Sequence, residues 1–406
     1  MSDQPPDATP APTPAPAPAP SPSPAPVRSA RFSWVRELIV SLAAVLLALV
    51  VGAVLIIISD QNVLPTFTYF FSRPADALIA SWTAVSEAYL ALLQGALGGW
   101  RPISETLTLA SPLICGGLAV SLAFRAGLFN IGAQGQLIVG ALCAGWVGFT
   151  WHLPIVLHVI AAVVAGILGG ALWGAIAGFL KARAGAHEVI TTIMLNYVGL
   201  YLLQWLLTTD VLQRPGRDDS ISPVVDSSAQ FLNVPGTRLH IGFLVAILAA
   251  VAVWWILSRS TIGFELRAVG ANPEAARTAG MSVGRSYTLA MLIAGGLAGL
   301  AGVQQVLGTD LPLTDGIAGS VGFDAITVAL LGRATPLGTV VAGLLFGALS
   351  AGGLQMQLAT QTPLTLTTVL QATIVLFIAA PALVRAIFRI RAQGAGGTVL
   401  AKGWNA

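Results

Sequence analysis

Glu188, Thr191, Thr192 and Asn196 stand at i, i+3, i+4 and i+8, so on a helix they share one face. The sequence around them is apolar, and a carboxylate on a polar stripe in an apolar helix is expensive. Such a stripe can hydrogen-bond a polar solute, or carry a proton or ion on Glu188. A bland reading has equal weight: Glu188 is an acid in the first turn of a helix, favoured there by the helix dipole. Two further clusters have the same character. Arg125 to Gln136 holds Asn130, Gln134 and Gln136 among three glycines, and Asp310 to Thr327 holds Asp310, Asp315, Ser320, Asp324 and Thr327 among glycines. Unpaired polar groups facing hydrocarbon cost several kcal/mol each, so both segments must line a cavity or lie inside protein.

Other chemistries are excluded by what is missing. There is no Gly-x-x-x-x-Gly-Lys-Ser/Thr loop for a nucleotide, no nucleophile elbow, no zinc motif and no dinucleotide fingerprint. Cys115 and Cys143 lie singly in apolar stretches, and His152, His158, His187 and His240 are scattered without metal-ligand spacing. The expectation is a chain with no catalytic residue, no metal and no cofactor of its own. No basic run with interleaved aromatics points to nucleic acid.

The chain has 406 residues, 55% of them hydrophobic and 9% charged, and its mean hydropathy is +0.81. A soluble domain carries about 25% charged residues. This is an all-α polytopic membrane protein in contact with lipid. Residues 1–27 are Pro/Ala/Ser repeats that cannot build a core, so 1–34 is expected to be a disordered cytoplasmic tail. Residues 35–390 form the membrane domain, and 391–406 a cytoplasmic C-terminal tail. Apolar runs predict helices near 38–59, 103–124, 129–150, 154–180, 188–208, 240–258, 286–308, 322–332, 336–354 and 365–387, which makes ten spans with both termini inside. Phe67, Tyr69, Phe70, Phe71 and Trp82 suggest an interfacial belt, with 75–97 lying at the membrane surface or dipping into it. This topology puts 15 of the 20 Lys and Arg inside, leaving Arg73, Arg101, Arg214, Arg217 and Arg238 outside. The bias supports the orientation.

Gly166, Gly170, Gly174 and Gly178 recur every four residues, and Gly140, Ala144, Gly148 and Gly343, Gly347, Ala351 repeat the pattern. Such stripes let helix backbones approach closely. The stretch 322–332 is too short to span, so it reads as part of a broken helix. Phe129-Asn130 and Phe323-Asp324 are loosely corresponding points of two inverted halves, a layout that places a path between them.

One inside segment is built for docking. Asn272 caps a helix that starts at Pro273, Glu274 complements its dipole, and Gly280 ends it. The run Arg267-Ala-Val-Gly-Ala-Asn-Pro-Glu-Ala-Ala-Arg-Thr-Ala-Gly280 resembles the coupling helix of ABC-importer permeases of the branched-chain amino acid/simple-sugar superfamily. Phe129-Asn-Ile-Gly-Ala-Gln-Gly-Gln136, Lys181-Ala-Arg-Ala-Gly-Ala-His-Glu-Val-Ile-Thr-Thr-Ile-Met-Leu-Asn196 and Gly322-Phe-Asp-Ala-Ile-Thr-Val-Ala-Leu-Leu-Gly332 resemble the nucleoside, basic-membrane-protein-type, branch of that superfamily. The similarity covers about residues 35–390, and Gln134 stands where the family often has Glu.

The resemblance implies a permease subunit of an ATP-driven importer in a prokaryotic plasma membrane. Its partners would be a cytoplasmic ATPase that holds the ATP and Mg, a second permease chain (a shorter paralogue or a copy of this one) and an external substrate-binding lipoprotein. Contact with the ATPase would fall on the segment 263–283, at Arg267, Gly270, Asn272, Pro273, Glu274, Ala275 and Gly280. The path would be lined by Asn130, Gln134, Gln136, Glu188, Thr191, Thr192, Asn196 and Asp324. The alternatives are a permease of the same build for pentoses or other simple sugars, and an ion-coupled secondary transporter using Glu188 or Asp324.

Overall fold

The computed structural model describes residues 33–388 apart from Asp310. The expected N-terminal tail up to residue 32 and the C-terminal tail lie outside the described residues. Contacts divide the chain between Ile39 and Val40, and the packing below concerns Val40 onward.

In hydrocarbon a backbone must satisfy its own N–H and C=O groups, and an apolar chain does so as helices. Among the described residues there are fourteen α-helices and no strand beyond an isolated bridge between Asn233 and His240. They are α1 (Ser33–Ser59), α2 (Pro74–Leu97), α3 (Trp100–Arg125), α4 (Ala133–Thr150), α5 (Ile155–Ala184), α6 (Glu188–Leu206), α7 (Gly242–Arg259), α8 (Thr261–Ala271), α9 (Pro273–Thr278), α10 (Val283–Leu307), α11 (Val321–Leu331), α12 (Pro336–Thr360), α13 (Leu364–Ala379) and α14 (Pro381–Ile387). Six are long and apolar enough to cross a membrane: α3, α5, α6, α7, α10 and α12. The apolar part of α1 (Ala43–Ser59), α11 and α13 are shorter.

The other differences from the sequence expectation have local causes. The helix expected at 129–150 begins only at Ala133, because 126–132 turns back on itself with Gly127 at φ +73°. The helix expected at 365–387 breaks at Ala380, where Pro381 cannot donate to the preceding turn. Residues 74–97 form α2, which does more than lie at a surface. Ala88, Ala91 and Leu92 are buried with residues of α1, α12 and α13, and Thr106 of α3 donates to the Ala96 carbonyl at 2.9 Å.

The centre of the molecule is α10, wrapped by α5, α4 and α3. The glycine stripes meet there. A Cβ on Gly299 would collide with the Gly166 carbonyl, and one on Gly295 with the Gly170 carbonyl. Gly140 of α4 sits equally close to Gly299. The α5 stripe therefore finds its partner inside the same chain.

Helix-to-helix contacts also give depth. Gly174 of α5 touches Gly295, the middle residue of α10, together with Gln136. So α4 starts about halfway through the bundle. Gly116 of α3 meets Ala325 of α11, nine residues short of Arg125, or about 14 Å at 1.5 Å per residue. So α11 also starts at mid-depth.

The connection 207–241 is tied down along its length. Asp226 N donates to Gly148 O at 2.9 Å, Phe231 N to Leu307 O at 2.8 Å, and Ser222 N to Leu313 O at 3.1 Å. His158 of α5, fully buried, bridges Ser228 (2.7 Å) and the Val147 carbonyl (3.1 Å). His240 accepts from Gly242 N at 3.1 Å and packs on Phe231 and Gly308.

Two outcomes follow from this packing. Gly299→Leu should cost about 1–3 kcal/mol or more by overpacking, read as a lower unfolding temperature in detergent. Gly284→Ala, where the nearest neighbour of a new Cβ is 3.4 Å away, should change little. Burial, with a smaller contribution from Arg238, pushes the His240 imidazole down to about 4. The unfolded loop therefore binds more protons between pH 6.5 and 4, and the stability from neutral His240 is complete above pH 6.5 and lost as the pH falls. Hydrogen-exchange protection of 231–242 should drop across that window, and His240→Gln should flatten the drop.

Candidate functional site

The junction of α3, α4, α6 and α11 gathers most of the polar residues singled out above. It is built from the 126–132 turn upward. Leu128 N returns to the Ala123 carbonyl at 3.0 Å, which sends the chain back into the bundle after α3. Asn130, fully buried, then faces Gln136. Their carboxamides exchange two hydrogen bonds, Nδ2 to Oε1 at 3.0 Å and Nε2 to Oδ1 at 3.2 Å, and Asn130 Oδ1 also accepts from Gly132 N at 3.0 Å. Asn196, reaching across from α6, accepts from Gly135 N at 2.8 Å and donates to the Ile131 carbonyl at 2.9 Å. Two carboxamides, Asn130 and Asn196, thus supply partners that a late-starting helix lacks for its first N–H groups, and Gln136 holds Asn130 in place. They clamp the start of α4 to α6.

The rest of the α6 stripe is satisfied close to home. Glu188 accepts from Lys181 Nζ at 2.6 Å, and that ammonium also lies 5.5 Å from the centre of the Tyr287 ring on α10. Thr191 donates to the His187 carbonyl and Thr192 to the Val189 carbonyl, each at 3.1 Å. Of these three only Glu188 reaches α5 and fastens the α5–α6 corner; the two threonines bond the first turn of their own helix.

Two residues remain on the open side. Gln134 lies in the first turn of α4, and its Nε2 donates to the Gly319 carbonyl while its Oε1 accepts from Gly322 N, both at 2.8 Å. A side chain at 322 would collide with the backbone of Gln134, so only glycine lets the two helix starts touch. Asp324, one turn on, accepts from Ser320 Oγ at 2.6 Å. Gly319, Ser320 and Phe323 are exposed beside them. Polar surface at mid-depth cannot face lipid, so this strip can solvate a polar solute or meet another chain. Gly319 and Gly322 were missed by sequence reasoning: nothing local marks a glycine 188 residues from Gln134 as its partner.

The segment expected to dock is two helices where one was expected. The first, α8, is capped by Ser260 accepting from Gly263 N at 3.0 Å, and it was not foreseen. The second, α9, has the expected cap, with Asn272 Oδ1 accepting from Ala275 N at 3.0 Å, and Gly280 ends it at φ +84°. Glu274 and Ala275 are exposed, Pro273 half-buried, and Glu274 pairs with Arg277 at 3.1 Å. Arg267 donates to the Gly263 carbonyl at 3.2 Å. Gly270 faces inward: a Cβ there would strike the Arg125–Gly127 backbone. Beside that contact, Arg125 Nε donates to the Ala334 carbonyl at 2.8 Å. Among the described residues no group of three or more His, Cys, Asp or Glu could hold a metal.

The family model of the branched-chain amino acid transport system permease component matches residues 102–379. A guanosine ABC transporter permease protein of Bacillus subtilis is 38% identical over 88% of this chain and 98% of its own length. A glucose ABC transporter permease protein of Haloferax volcanii is 35% identical over 74% of this chain and 82% of its own. A nucleoside ABC transporter permease protein of Lactococcus lactis is 34% identical over 65% and 75%. No solved structure matches.

Asn196→Leu would strip the partners from Gly135 N and Ile131 O inside the protein, at about 1–3 kcal/mol for each buried group. The unfolding temperature in detergent should fall together with any uptake; an unchanged temperature would remove Asn196 from the clamp.

Proposed function

We propose that this chain, which belongs to the family of branched-chain amino acid transport system permease components, forms the membrane path of an ATP-driven ABC importer for nucleosides. The observation that carries the cargo is the likeness to the guanosine permease over nearly the whole of that protein. The chain has no nucleotide loop, so ATP and Mg belong to a partner ATPase in the cytoplasm, docked on α9 and the exposed face of α8. A second permease chain completes the path, and an external binding lipoprotein delivers substrate to the side of the 207–241 loop. The setting is a prokaryotic plasma membrane.

In this reading α1, α3, α4, α5, α6, α7, α10, α11, α12 and α13 are the ten spans, with both termini inside. The two inverted halves correspond at α4 and α11, the helices that start at mid-depth. ATP binding would close the ATPase and press on α9. Through Gly270 on the Arg125–Gly127 backbone, that push would reach the end of α3 and the turn that carries Asn130. A ligand shifts such an equilibrium only by its differential affinity for the two states. The path then alternates between outward- and inward-open arrangements.

The glucose permease relative favours one other cargo, a simple sugar, with the same machine. An ion-coupled carrier is disfavoured by the ion pair that occupies Glu188. Uptake of labelled inosine, uridine and ribose by cells with and without the gene separates the three. Gene-dependent nucleoside uptake that fails on ATP depletion and survives a protonophore is expected; ribose uptake alone would change the cargo, and the reverse energetics would overturn the ABC reading. Glu274→Arg should reduce uptake at least about tenfold while the chain still inserts, because it sets a like charge against Arg277 and the docking surface. Full uptake with normal ATPase co-purification would dismiss the docking assignment.

A further inference from the structure

The geometry points to Gln134 as a positioning residue that holds the path shut: its carboxamide locks the start of α4 to the start of α11 at mid-depth, and opening the path requires its two hydrogen bonds to break. This rests on the reading of the chain as a transport path.

Four observations carry it. First, α4 and α11 both begin halfway through the bundle, and their first turns touch backbone to backbone where Gly322 meets Gln134. Nothing the size of a solute passes between them in this arrangement. Second, Gln134 reaches both sides of the α11 entry turn, donating to Gly319 O and accepting from Gly322 N. In this chain a carboxamide makes both bonds, since it presents one donor group and one acceptor side by side; the Glu that the family often has here matches it only when protonated, and an aliphatic chain makes neither bond. Third, these bonds lie at the open surface of the junction, so water can replace them when they break. The Asn130–Gln136–Asn196 clamp is buried and must stay closed. One carboxamide set is static and the other can be exchanged.

Fourth, α11 is delimited by unusual backbone. Gly319, just before it, has φ +46°, and just after it Arg333 and Ala334 have φ +53° and +48°. Two successive non-glycine residues in the left-handed region hold strain that the surroundings must support. An eleven-residue helix between two such points is a rigid piece with a bend at each end, the form that hinge motions take.

The test is leak. The transporter, purified through the full-length chain, is reconstituted into vesicles loaded with labelled inosine and ribose, and ATP-independent efflux is measured. Gln134→Leu should raise efflux about tenfold or more, the order expected when two neutral hydrogen bonds are lost from the closed state. Gln134→Glu should leak as a carboxylate at pH 8. It should tighten by about 40% at pH 4.5, where an ordinary glutamic acid, pKa about 4.3, is about 40% protonated and regains a donor.

The charged groups and histidines on elements packed against α4 are Asp324 on α11, Glu188 on α6, His158, Lys181 and Arg183 on α5, Arg285 on α10, and Arg101, Glu105 and Arg125 on α3. The wild type measured at both pH values carries their contributions, and those of His240, so the inference concerns only the difference between variant and wild type. Wild-type tightness for both variants would overturn the proposal. So would a Gln134→Glu leak that matches at both pH values, which is what a merely structural loss produces. If Gln134→Leu fails to assemble, the pH dependence of Gln134→Glu decides alone. The parent reading fails separately, as absence of ATP-driven inosine uptake by the wild type, and the ribose leak still reports on the lock.

Discussion

Starting a helix in the middle of a bilayer leaves its first N–H groups with no carbonyl below them and no water beside them. That deficit, worth several kcal/mol for each orphan group in hydrocarbon, is the constraint around which the junction is arranged. Asn196 of α6 answers Gly135 N, and Asn130 answers Gly132 N. Gln134 answers Gly322 N at the start of α11. Asn196 and Gln134 come from other segments than the groups they answer, so those two corrections are also tethers. Polar residues that look extravagant in an apolar sequence are here the condition for interrupting its helices.

The interruption is possible because the surrounding packing is unusually tight. Gly140, Gly166, Gly170, Gly295 and Gly299 bring three helices to backbone contact about α10. Little hydrophobic drive separates one helix pairing from another in lipid, so the association depends on shape. A smooth, rigid α5–α10–α4 seam fixes the level at which Gln136 and Asn130 can meet. The end of α3 is held by the same means, with Gly270 of α8 against Gly127. Helix α8 and the mid-depth junction thus share one seven-residue turn, 126–132.

How much of this was legible in the sequence divides by range. Local devices were: the Asn272 cap acts over three residues, and the side chain and its spacing to Pro273 and Gly280 suffice to place α9. Spacing also announced the glycine stripes, though not their partners, because a smooth face does not say what it meets. The polar segments were recognised as unable to face lipid, but the roles of their residues were not separable. Asn130 and Asn196 are linked by a turn and a tertiary approach over 66 positions, and the sequence treats both as path-lining on the same grounds as Gln134. Glu188 and Lys181, seven apart, were each visible, yet a corner must fold before they pair at 2.6 Å. The late start of α4 was hidden because hydropathy falls only slightly where a glycine-rich turn gives way to helix. Helix α8 was hidden because its serine cap directly adjoins the end of α7.

The α5–α10 seam also sets a timetable. Residue 184 closes α5 about a hundred residues before Val283 opens α10. At roughly 5–20 residues per second of synthesis, the glycine face of α5 spends on the order of 5–25 s in the membrane before its partner exists. During that interval it can meet α4, which is already made, or lipid, or the nascent chain of a neighbouring ribosome. A newborn molecule is therefore most exposed to mispairing while it appears to be half complete, and the passage of α6 and α7 into the bilayer takes place around a centre that is still vacant.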